Sequence, residues 1–299
     1  MKPPVDYERI DPLAFGGTKP QTLSYQDSAI VVLPVPLDRT TTYVAGTRNG
    51  PREILTASSH MELWDEEMNV DVHPVGIFTL PEMEFPFESL DEVMTEIRRV
   101  ATAIIDHRKF PMVLGGEHSI TAPIVAALAA HHTGLSVLQI DAHADLRDSF
   151  MGSRCNHACA MRRVLEYARC TQVGIRSMSP EEASVVQTLP TEIFYDISMR
   201  ADDDWIDQIV DSLGESVYIT IDCDGMDPAI MPAVGTPEPG GLSWYEMLAL
   251  LRRVIEARRV VGCDLVELCP IPGLVAPNFL CAKLVYKILT YRFCKEVEG

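Results

Sequence analysis

Three short segments of the sequence carry dense groups of residues that can bind a metal ion. They are Gly115-Gly-Glu-His118-Ser, Asp141-Ala-His143-Ala-Asp145 and Asp222-Cys-Asp224. In an extended segment alternate side chains point to the same side, so ligands two residues apart can converge on one point. The sequence therefore predicts a shared metal site with six ligands, namely His118, Asp141, His143, Asp145, Asp222 and Asp224.

The make-up of this ligand set predicts the kind and number of ions. Four carboxylates with two imidazoles and no thiolate suit a harder divalent ion such as manganese better than a structural zinc. Six ligands are too many for one catalytic ion with an open position. If Asp141 and Asp222 bridge, two ions lie about 3.5–4 Å apart and can share one water or hydroxide. Such ions lower the pKa of water from about 15.7 to about 7–9, which generates a nucleophile at neutral pH.

Each cluster taken alone also has a structural interpretation. An Asp-x-His-x-Asp segment can cap a helix or form a turn, and Gly115 and Gly116 can simply turn the chain after a strand. Three such clusters at successive strand ends favour the metal-binding interpretation over the structural one.

The clusters follow short apolar runs that predict buried strands. The predicted strands are residues 29–33, 111–114, 135–140, 172–175, 192–195, 217–221 and 260–266. Apolar residues recur at helical spacing from Leu90 to Ile104 and from Met247 to Ile255. This alternation predicts an α/β fold with a parallel sheet covered on both faces. Ligands of such sheets bind outside the carboxyl ends of the strands, where the three clusters lie.

Length and composition narrow the class of protein. The 299 residues, 47% of them hydrophobic, show no repeat or linker, which predicts one domain over residues 1–299 with a Pro-rich N-terminal leader, residues 1–25, packed on it. The net charge of −18 argues against nucleic acid or an anionic membrane as partner and favours a small cationic substrate. No run approaches the roughly 18 apolar residues of a membrane span, so we predict a cytoplasmic location.

The three clusters, followed by Gly235-Thr-Pro-Glu-Pro-Gly-Gly241, occur in the order and spacing of known family signatures. From about Val31 to Lys287 the chain resembles the ureohydrolase superfamily of arginases and agmatinases. The resemblance implies a three-layer α/β/α arginase-like fold with a mostly parallel central sheet. It also implies two manganese ions per subunit, one held by His118, Asp141, Asp145 and Asp222, the other by Asp141, His143, Asp222 and Asp224.

The resemblance further implies a reaction, hydrolysis of a guanidinium group to urea and an amine. His157 matches the histidine that shuttles a proton to the leaving amine, although an ordinary loop or N-cap histidine is the alternative interpretation. Glu267 matches the carboxylate that pairs with the guanidinium, and Asp145 would hold the attacking oxygen or pass on its proton. Thr236 matches a threonine beside the substrate, and Asn156, next to the shuttle, is a further candidate substrate-binding residue.

The loop between Asp145 and His157 bears on the substrate. It lacks the asparagine and threonine/serine-rich run with which arginases bind the α-carboxylate, so the resemblance favours an agmatinase that converts agmatine to putrescine and urea. Asn156 and Cys155 depart from the usual agmatinase residues. Arg154 could instead contact a carboxylate-bearing substrate such as guanidinobutyrate or guanidinopropionate, or be a solvated loop charge.

Two alternatives to an agmatinase stay open. One is another ureohydrolase of the same fold, acting on a guanidino acid or on arginine. The other, of a different class, is a non-catalytic metal- or polyamine-binding regulatory protein. By family resemblance we also expect a homo-oligomer, either a trimer or a hexamer.

Overall fold

A single eight-stranded sheet forms the centre of the protein, as seen in a computed structural model that describes residues 13–17, 24–85 and 89–297. The strands are β1 (Ile30–Val35), β2 (Ile77–Thr79), β3 (Phe110–Gly115), β4 (Ser136–Ile140), β5 (Arg169–Ile175), β6 (Thr191–Tyr195), β7 (Ser216–Asp222) and β8 (Arg259–Val266). Their order is β2-β1-β3-β8-β7-β4-β5-β6, and every paired strand is parallel to its neighbour. All carboxyl ends therefore meet at one edge.

Helices connect these strands. They are α1 (Gly50–Ser58), α2 (Leu90–Asp106), α3 (Thr121–Ala129), α4 (Ala160–Val164), α5 (Pro180–Val185), α6 (Asp196–Met199), α7 (Trp205–Ser212), α8 (Trp244–Ala257) and α9 (Ala276–Val297). The two apolar stripes of the sequence correspond to α2 and α8. Both helices begin with a capping box, Ser89 with Glu92 in α2 and Ser243 with Glu246 in α8, which satisfies free backbone N–H groups of the first turn.

The two faces of the sheet bury two separate apolar clusters. Along β1, Ile30 and Val32 belong to the cluster that contains side chains of α1, α7, α8 and α9, whereas Val31 and Leu33 belong to the cluster that contains side chains of α2, α3 and α4. Alternate residues of a strand point to opposite faces, so a strand covered on both sides is apolar throughout, as β1 is. The predicted three-layer α/β/α fold with a parallel central sheet is confirmed.

Two elements differ from the expectation. The edge strand β2 has only three residues, fewer than a periodicity argument can recognise. Helix α9 buries 14 of its 22 residues and so shows no narrow apolar stripe, which is why helical spacing did not predict it.

The predicted leader, residues 1–25, lies mostly outside the described residues. Of its described part, Phe15 is fully buried in the cluster that contains α1. Across residues 13–17, 24–85 and 89–297, no helix is both long and apolar enough to cross a membrane.

Candidate metal centre and active site

The four central strands of the sheet carry the predicted site at their carboxyl ends. In sheet order these are β3, β8, β7 and β4. His118 follows β3, Glu267 follows β8, Asp222 ends β7, and Asp141 follows β4. Because parallel strands end at the same edge, segments far apart in the sequence meet at one place.

Two tight backbone features bring these segments together. Asp145 and Glu267 have φ values of 53° and 64°, in the left-handed region that residues other than glycine seldom adopt. The Glu267 N–H donates to the carbonyl oxygen of Gly116 at 2.7 Å, which joins the turns after β8 and β3. A Cβ on Gly116 would lie 1.9 Å from the Leu37 carbonyl oxygen, so only glycine fits. Strained φ values of this kind persist where surrounding contacts fix the backbone, often at functional sites.

His118 lies at the centre of the first ligand group. Its Nδ1 is 3.1 Å from Asp141 Oδ2, 3.3 Å from Asp145 Oδ2 and 3.3 Å from Asp222 Oδ2. His118 and Asp141 are fully buried, and the other two aspartates nearly so. Four of the six predicted ligands therefore surround one point.

His143 organises the second group. Its Nδ1 lies 2.9 Å from Asp224 Oδ2 and 3.7 Å from Asp141 Oδ1. Ligand atoms of His143, Asp141 and Asp224 all lie within 4.8 Å of one another, as do those of His118, Asp141 and Asp145. Asp141 thus belongs to both groups, in agreement with a bridging position. Asp222 contacts the first group through His118, and its predicted bridge to the second group stays a prediction.

The donor chemistry of the first group suits a divalent cation. His118 Nδ1 is buried and has no hydrogen-bond partner among the described residues, although three carboxylate oxygens lie within 3.3 Å of it. An imidazole nitrogen and oxygens of several carboxylates directed at one point are the donors of a harder divalent ion. The residues present therefore fit the metal that the sequence predicts.

The pKa shifts of the candidate ligands show that their negative charges are crowded together. Burial raises the pKa of Asp222 well above its ordinary value, and the carboxylates of Asp224 and Asp141 raise it further. Burial likewise raises the pKa of Asp145 to about 6, against the influence of His118. Burial alone would lower the pKa of His143, but Asp141 and Asp224 outweigh it and raise that pKa to about 12. Such crowded carboxylates favour a bound cation.

A cavity of about 260 Å³ opens onto these groups. Predicted site residues in its lining are His143, Asp145, His157, Asp222, Thr236 and Glu267. Phe150, Met178 and Arg147 also line it. The Arg147 guanidinium lies 4.3 Å from the centre of the Phe150 ring, and its Nε lies 3.7 Å from Glu182 Oε2. The structure thus brings candidate ligands, the candidate shuttle and the candidate guanidinium partner around one space.

Glu267 is placed to meet a cation. The residue is buried, and its Oε1 accepts a hydrogen bond from the His118 backbone N–H at 2.8 Å. Burial raises its pKa well above the ordinary value, and the neighbouring Glu117 carboxylate adds to this effect. In the described part of the chain no arginine or lysine forms an ion pair with it; the one basic group within 4 Å is His157, at 3.9 Å. A purely structural role would leave this buried carboxylate uncompensated.

His157 faces the same cavity from a short 3-10 helix, His157–Cys159. Its Nε2 is buried and has no hydrogen-bond partner in the part of the chain that the structure describes. Burial lowers the pKa of His157 below the usual histidine value, and the opposing charge of Glu117 does not restore it. A neutral imidazole with a free ring nitrogen at the cavity can accept and return a proton.

Asn156 is not brought into this cavity. Its side chain is nearly fully buried and caps the 3-10 helix by accepting from the Ala158 N–H at 3.0 Å. It lines a neighbouring cavity of about 310 Å³ instead. The amide oxygen of Asn156 is therefore engaged in capping the short helix that begins at His157, and its expected substrate contact stays a prediction.

Sequence reasoning missed the residues that hold the site in place. The buried Glu117 carboxylate accepts from the Thr40 N–H at 2.6 Å and from the Thr40 hydroxyl at 2.7 Å. That hydroxyl oxygen in turn accepts from the His157 N–H at 2.9 Å. Gln139 Nε2 donates to Asp141 Oδ2 at 2.7 Å. The available signals were the amide of Gln139 within an apolar run and the charge of Glu117 between Gly116 and His118 at a strand end.

Arg154, whose role the sequence left open, and Glu238, in the Gly235–Gly241 motif, lie outside the lining of the 260 Å³ cavity. The Arg154 side chain is 61% exposed and pairs with Glu166 at 3.1 Å, which agrees with the solvated loop charge rather than a substrate contact. Glu238 is half-buried, and its Oε1 lies 4.0 Å from His143 Nε2.

The chain belongs to the arginase family, whose family model matches residues 28–290. It is 41% identical over 276 residues to the N(1)-aminopropylagmatine ureohydrolase of a Synechocystis species, covering 90% of each chain. It is 34% identical to an agmatinase of Pyrococcus horikoshii over 82% of this chain and 86% of the relative. The crystal structure of an agmatine ureohydrolase of Thermoplasma volcanium superposes with a TM-score of 0.86 at 32% identity, covering 98% and 97% of the two chains.

These similarities confirm the resemblance to ureohydrolases and, within them, to agmatinases. The chain is an enzyme of this group, a hydrolase acting on amidines.

Proposed function

We propose that the cavity hydrolyses the guanidinium group of an amine built on the agmatine skeleton and releases urea. The observation that carries this proposal is the common cavity lined by members of the acidic metal-ligand cluster, by a buried glutamate that no described arginine or lysine pairs with, and by a histidine whose Nε2 has no partner among the described residues. A planar cation, a water and a proton acceptor are the three components that such a hydrolysis must bring together.

The proposed cofactor is a pair of manganese ions. His118, Asp141, Asp145 and Asp222 would hold one ion, and Asp141, His143, Asp222 and Asp224 the other. Bound divalent ions supply a water of strongly lowered pKa. Support for this assignment comes from the free Nδ1 of His118 among three carboxylates and from the double contact of Asp141.

Residues of the chain itself would orient and protonate the substrate. Glu267 would accept N–H groups of the guanidinium, because its carboxylate has capacity beyond the one bond from the His118 N–H. Asp145 would hold the proton of the attacking water, Thr236 would offer a hydroxyl beside the guanidinium, and His157 would deliver a proton to the leaving amine. Each of these side chains lines the cavity.

Two substrates of this skeleton are supported by different observations. N(1)-aminopropylagmatine is favoured because a relative 41% identical over 90% of the chain bears its name. Agmatine is favoured by the agmatinase-like motifs and by the 34% identical agmatinase. Phe150 and Met178 in the cavity wall suit the methylene chain that both substrates share.

The test is urea release by the purified protein after loading with manganese, cobalt or nickel. The substrate panel contains agmatine, N(1)-aminopropylagmatine, arginine, guanidinobutyrate and guanidinopropionate. We expect the highest kcat/KM for one of the first two. Preference for a guanidino acid or arginine would overturn the proposed substrate class, and absence of urea from every compound in metal-loaded protein would favour the regulatory binding protein.

A homo-oligomer, trimer or hexamer, is part of the same proposal and rests on the family resemblance, whereas the proposed cytoplasmic location rests on the lack of a long apolar run in the sequence. Light scattering of the purified protein at several concentrations measures the subunit number directly. A monomer throughout would contradict the proposed assembly while leaving the reaction untouched.

A further inference from the structure

A fully buried polar cluster lies on the side of His118 that faces away from the carboxylates. Its members are Asp264 on β8, Tyr218 and Thr220 on β7, and Thr121 at the start of α3, all 0% exposed. Polar side chains are rare at such depth unless they satisfy one another. Neither the proposed reaction nor the proposed metal ligation uses any of these four residues.

Asp264 is the common acceptor of this cluster. Its Oδ2 accepts from the Tyr218 hydroxyl at 2.7 Å and from the Thr121 hydroxyl at 2.9 Å. Its Oδ1 accepts from the Thr220 hydroxyl at 2.5 Å. Three hydroxyl donors around one carboxylate are the arrangement that satisfies its ionised form.

The hydroxyl of Thr220 connects this carboxylate to His118. His118 Nε2 lies 2.8 Å from Thr220 Oγ1. A threonine hydroxyl has one hydrogen, and that of Thr220 is given to Asp264. Towards His118 the Thr220 oxygen can therefore only accept, which requires a hydrogen on His118 Nε2. The unprotonated nitrogen of a neutral His118 is then Nδ1, the atom that faces Asp141, Asp145 and Asp222.

We propose that Asp264 and Thr220 are positioning residues of the metal centre, which fix His118 in the tautomer that carries its hydrogen on Nε2 and directs Nδ1 to the metal. This inference rests on the proposed metal centre. The carboxylate acts through a hydroxyl, and both lie on strands of the sheet rather than on loops.

His143 offers an internal contrast. Among the described residues, the one carboxylate within 4.0 Å of its Nε2 is that of the half-exposed Glu238, and no buried acceptor comparable to Thr220 bonds to this nitrogen. The His118 side of the centre is accordingly the side whose geometry depends on residues in the interior of the sheet.

Matched variants at position 220 test the role of the hydroxyl. Thr220→Val keeps the branched shape and removes the hydroxyl, whereas Thr220→Ser keeps the hydroxyl. We expect Thr220→Val to weaken manganese binding, measured by calorimetry on metal-stripped protein, by about 10–100-fold, the usual effect of losing an outer partner of a ligand. Thr220→Ser should stay within about threefold of the parent protein.

The spectroscopic test reads the tautomer itself. Protein with 15N-labelled histidine, loaded with diamagnetic zinc, should show a His118 imidazole N–H at Nε2 that is protected from exchange with water. In Asp264→Asn the new amide can donate to Thr220, which frees the Thr220 hydrogen for His118 Nε2. We therefore expect this variant to lose the Nε2–H signal and bind metal more weakly.

The outcomes separate this inference from the proposed function. Parent protein that binds no divalent ion would overturn the metal centre. Parent protein that binds ions normally, with Thr220→Val equally tight, would overturn the positioning role alone. Should Thr220→Val or Asp264→Asn fail to fold, the parent spectrum still decides, because a hydrogen on Nδ1 in the metal-loaded state contradicts the proposed tautomer.

Discussion

The floor and the mouth of the cavity are built in different ways. The floor consists of His118, Asp141, Asp145, Asp222 and Asp224, which are at most 6% exposed and stand on or beside strand ends. The mouth is formed by half-buried side chains on loops, such as Thr236, Arg147 and Phe150. Strand ends are fixed by the sheet, whereas loops vary without disturbing it. We therefore expect changes in the floor to alter metal binding and turnover, and changes in the mouth to alter which amine tail is accepted.

The largest effect should come from the floor. Asp141→Asn removes a charge from the residue shared by both ligand groups. We expect loss of bound metal and a fall in turnover greater than the roughly 100-fold upper effect of losing an outer partner. Metal analysis after gel filtration, together with urea release, measures both. Asp148→Asn, at an exposed aspartate, is the matched control. If Asp141→Asn retained two ions and normal turnover, the floor residues would be no more important for metal binding and turnover than the mouth residues.

His157 stands between the two regions, and its loss should affect chemistry without affecting metal. In His157→Ala we expect kcat to fall by about 10²–10⁴-fold, the range for a missing general acid or base. Metal content should equal that of the parent protein. His131→Ala, at a partly exposed histidine that pairs with Asp106 and does not line the cavity, serves as control. Unchanged kcat across the pH range would remove His157 from the mechanism.

A smaller effect is expected where the Thr40 hydroxyl joins Glu117 to the His157 backbone. Thr40→Val removes the hydroxyl, so the His157 N–H loses its acceptor and the Glu117 carboxylate loses one of its donors. The expected cost is about 1–3 kcal/mol. We expect roughly tenfold slower turnover with KM and metal content little changed. Thr40→Ser restores the hydroxyl and should restore the rate; equal defects in both variants would show that the methyl contact matters instead.

The smallest effect belongs to the outer rim. Arg154 is exposed and already paired with Glu166, and such surface pairs contribute about 0–1 kcal/mol. Arg154→Ala should therefore change kcat/KM by less than about fivefold, by the same factor for every substrate of the panel. A selective loss of activity towards guanidinobutyrate would mean that the arginine does select the substrate tail.

Sequence reasoning reached the floor more fully than the rest. Ligand types at two-residue spacing after apolar runs predicted which side chains lie together, because strand geometry and parallel pairing follow from the local pattern. The supporting contacts of Thr40, Glu117 and Asp264 were not predicted, since each depends on which strands become neighbours. Asn156 was assigned to the substrate because of its place beside His157, but the local turn uses its amide as a cap. The roles of the site residues themselves stay predictions.

Gly116 affects both the packing of the chain after β1 and the position of His157. The gap to the Leu37 carbonyl leaves no room for even a methyl group, and Thr40 lies three residues beyond Leu37. A side chain at position 116 would displace the loop that follows β1 and, with it, the Thr40 hydroxyl that accepts from the His157 N–H. A residue other than glycine at position 116 would therefore reduce both the yield of folded protein and the catalytic rate. A library randomised at this codon should retain glycine alone, whether it is selected for folding or for activity.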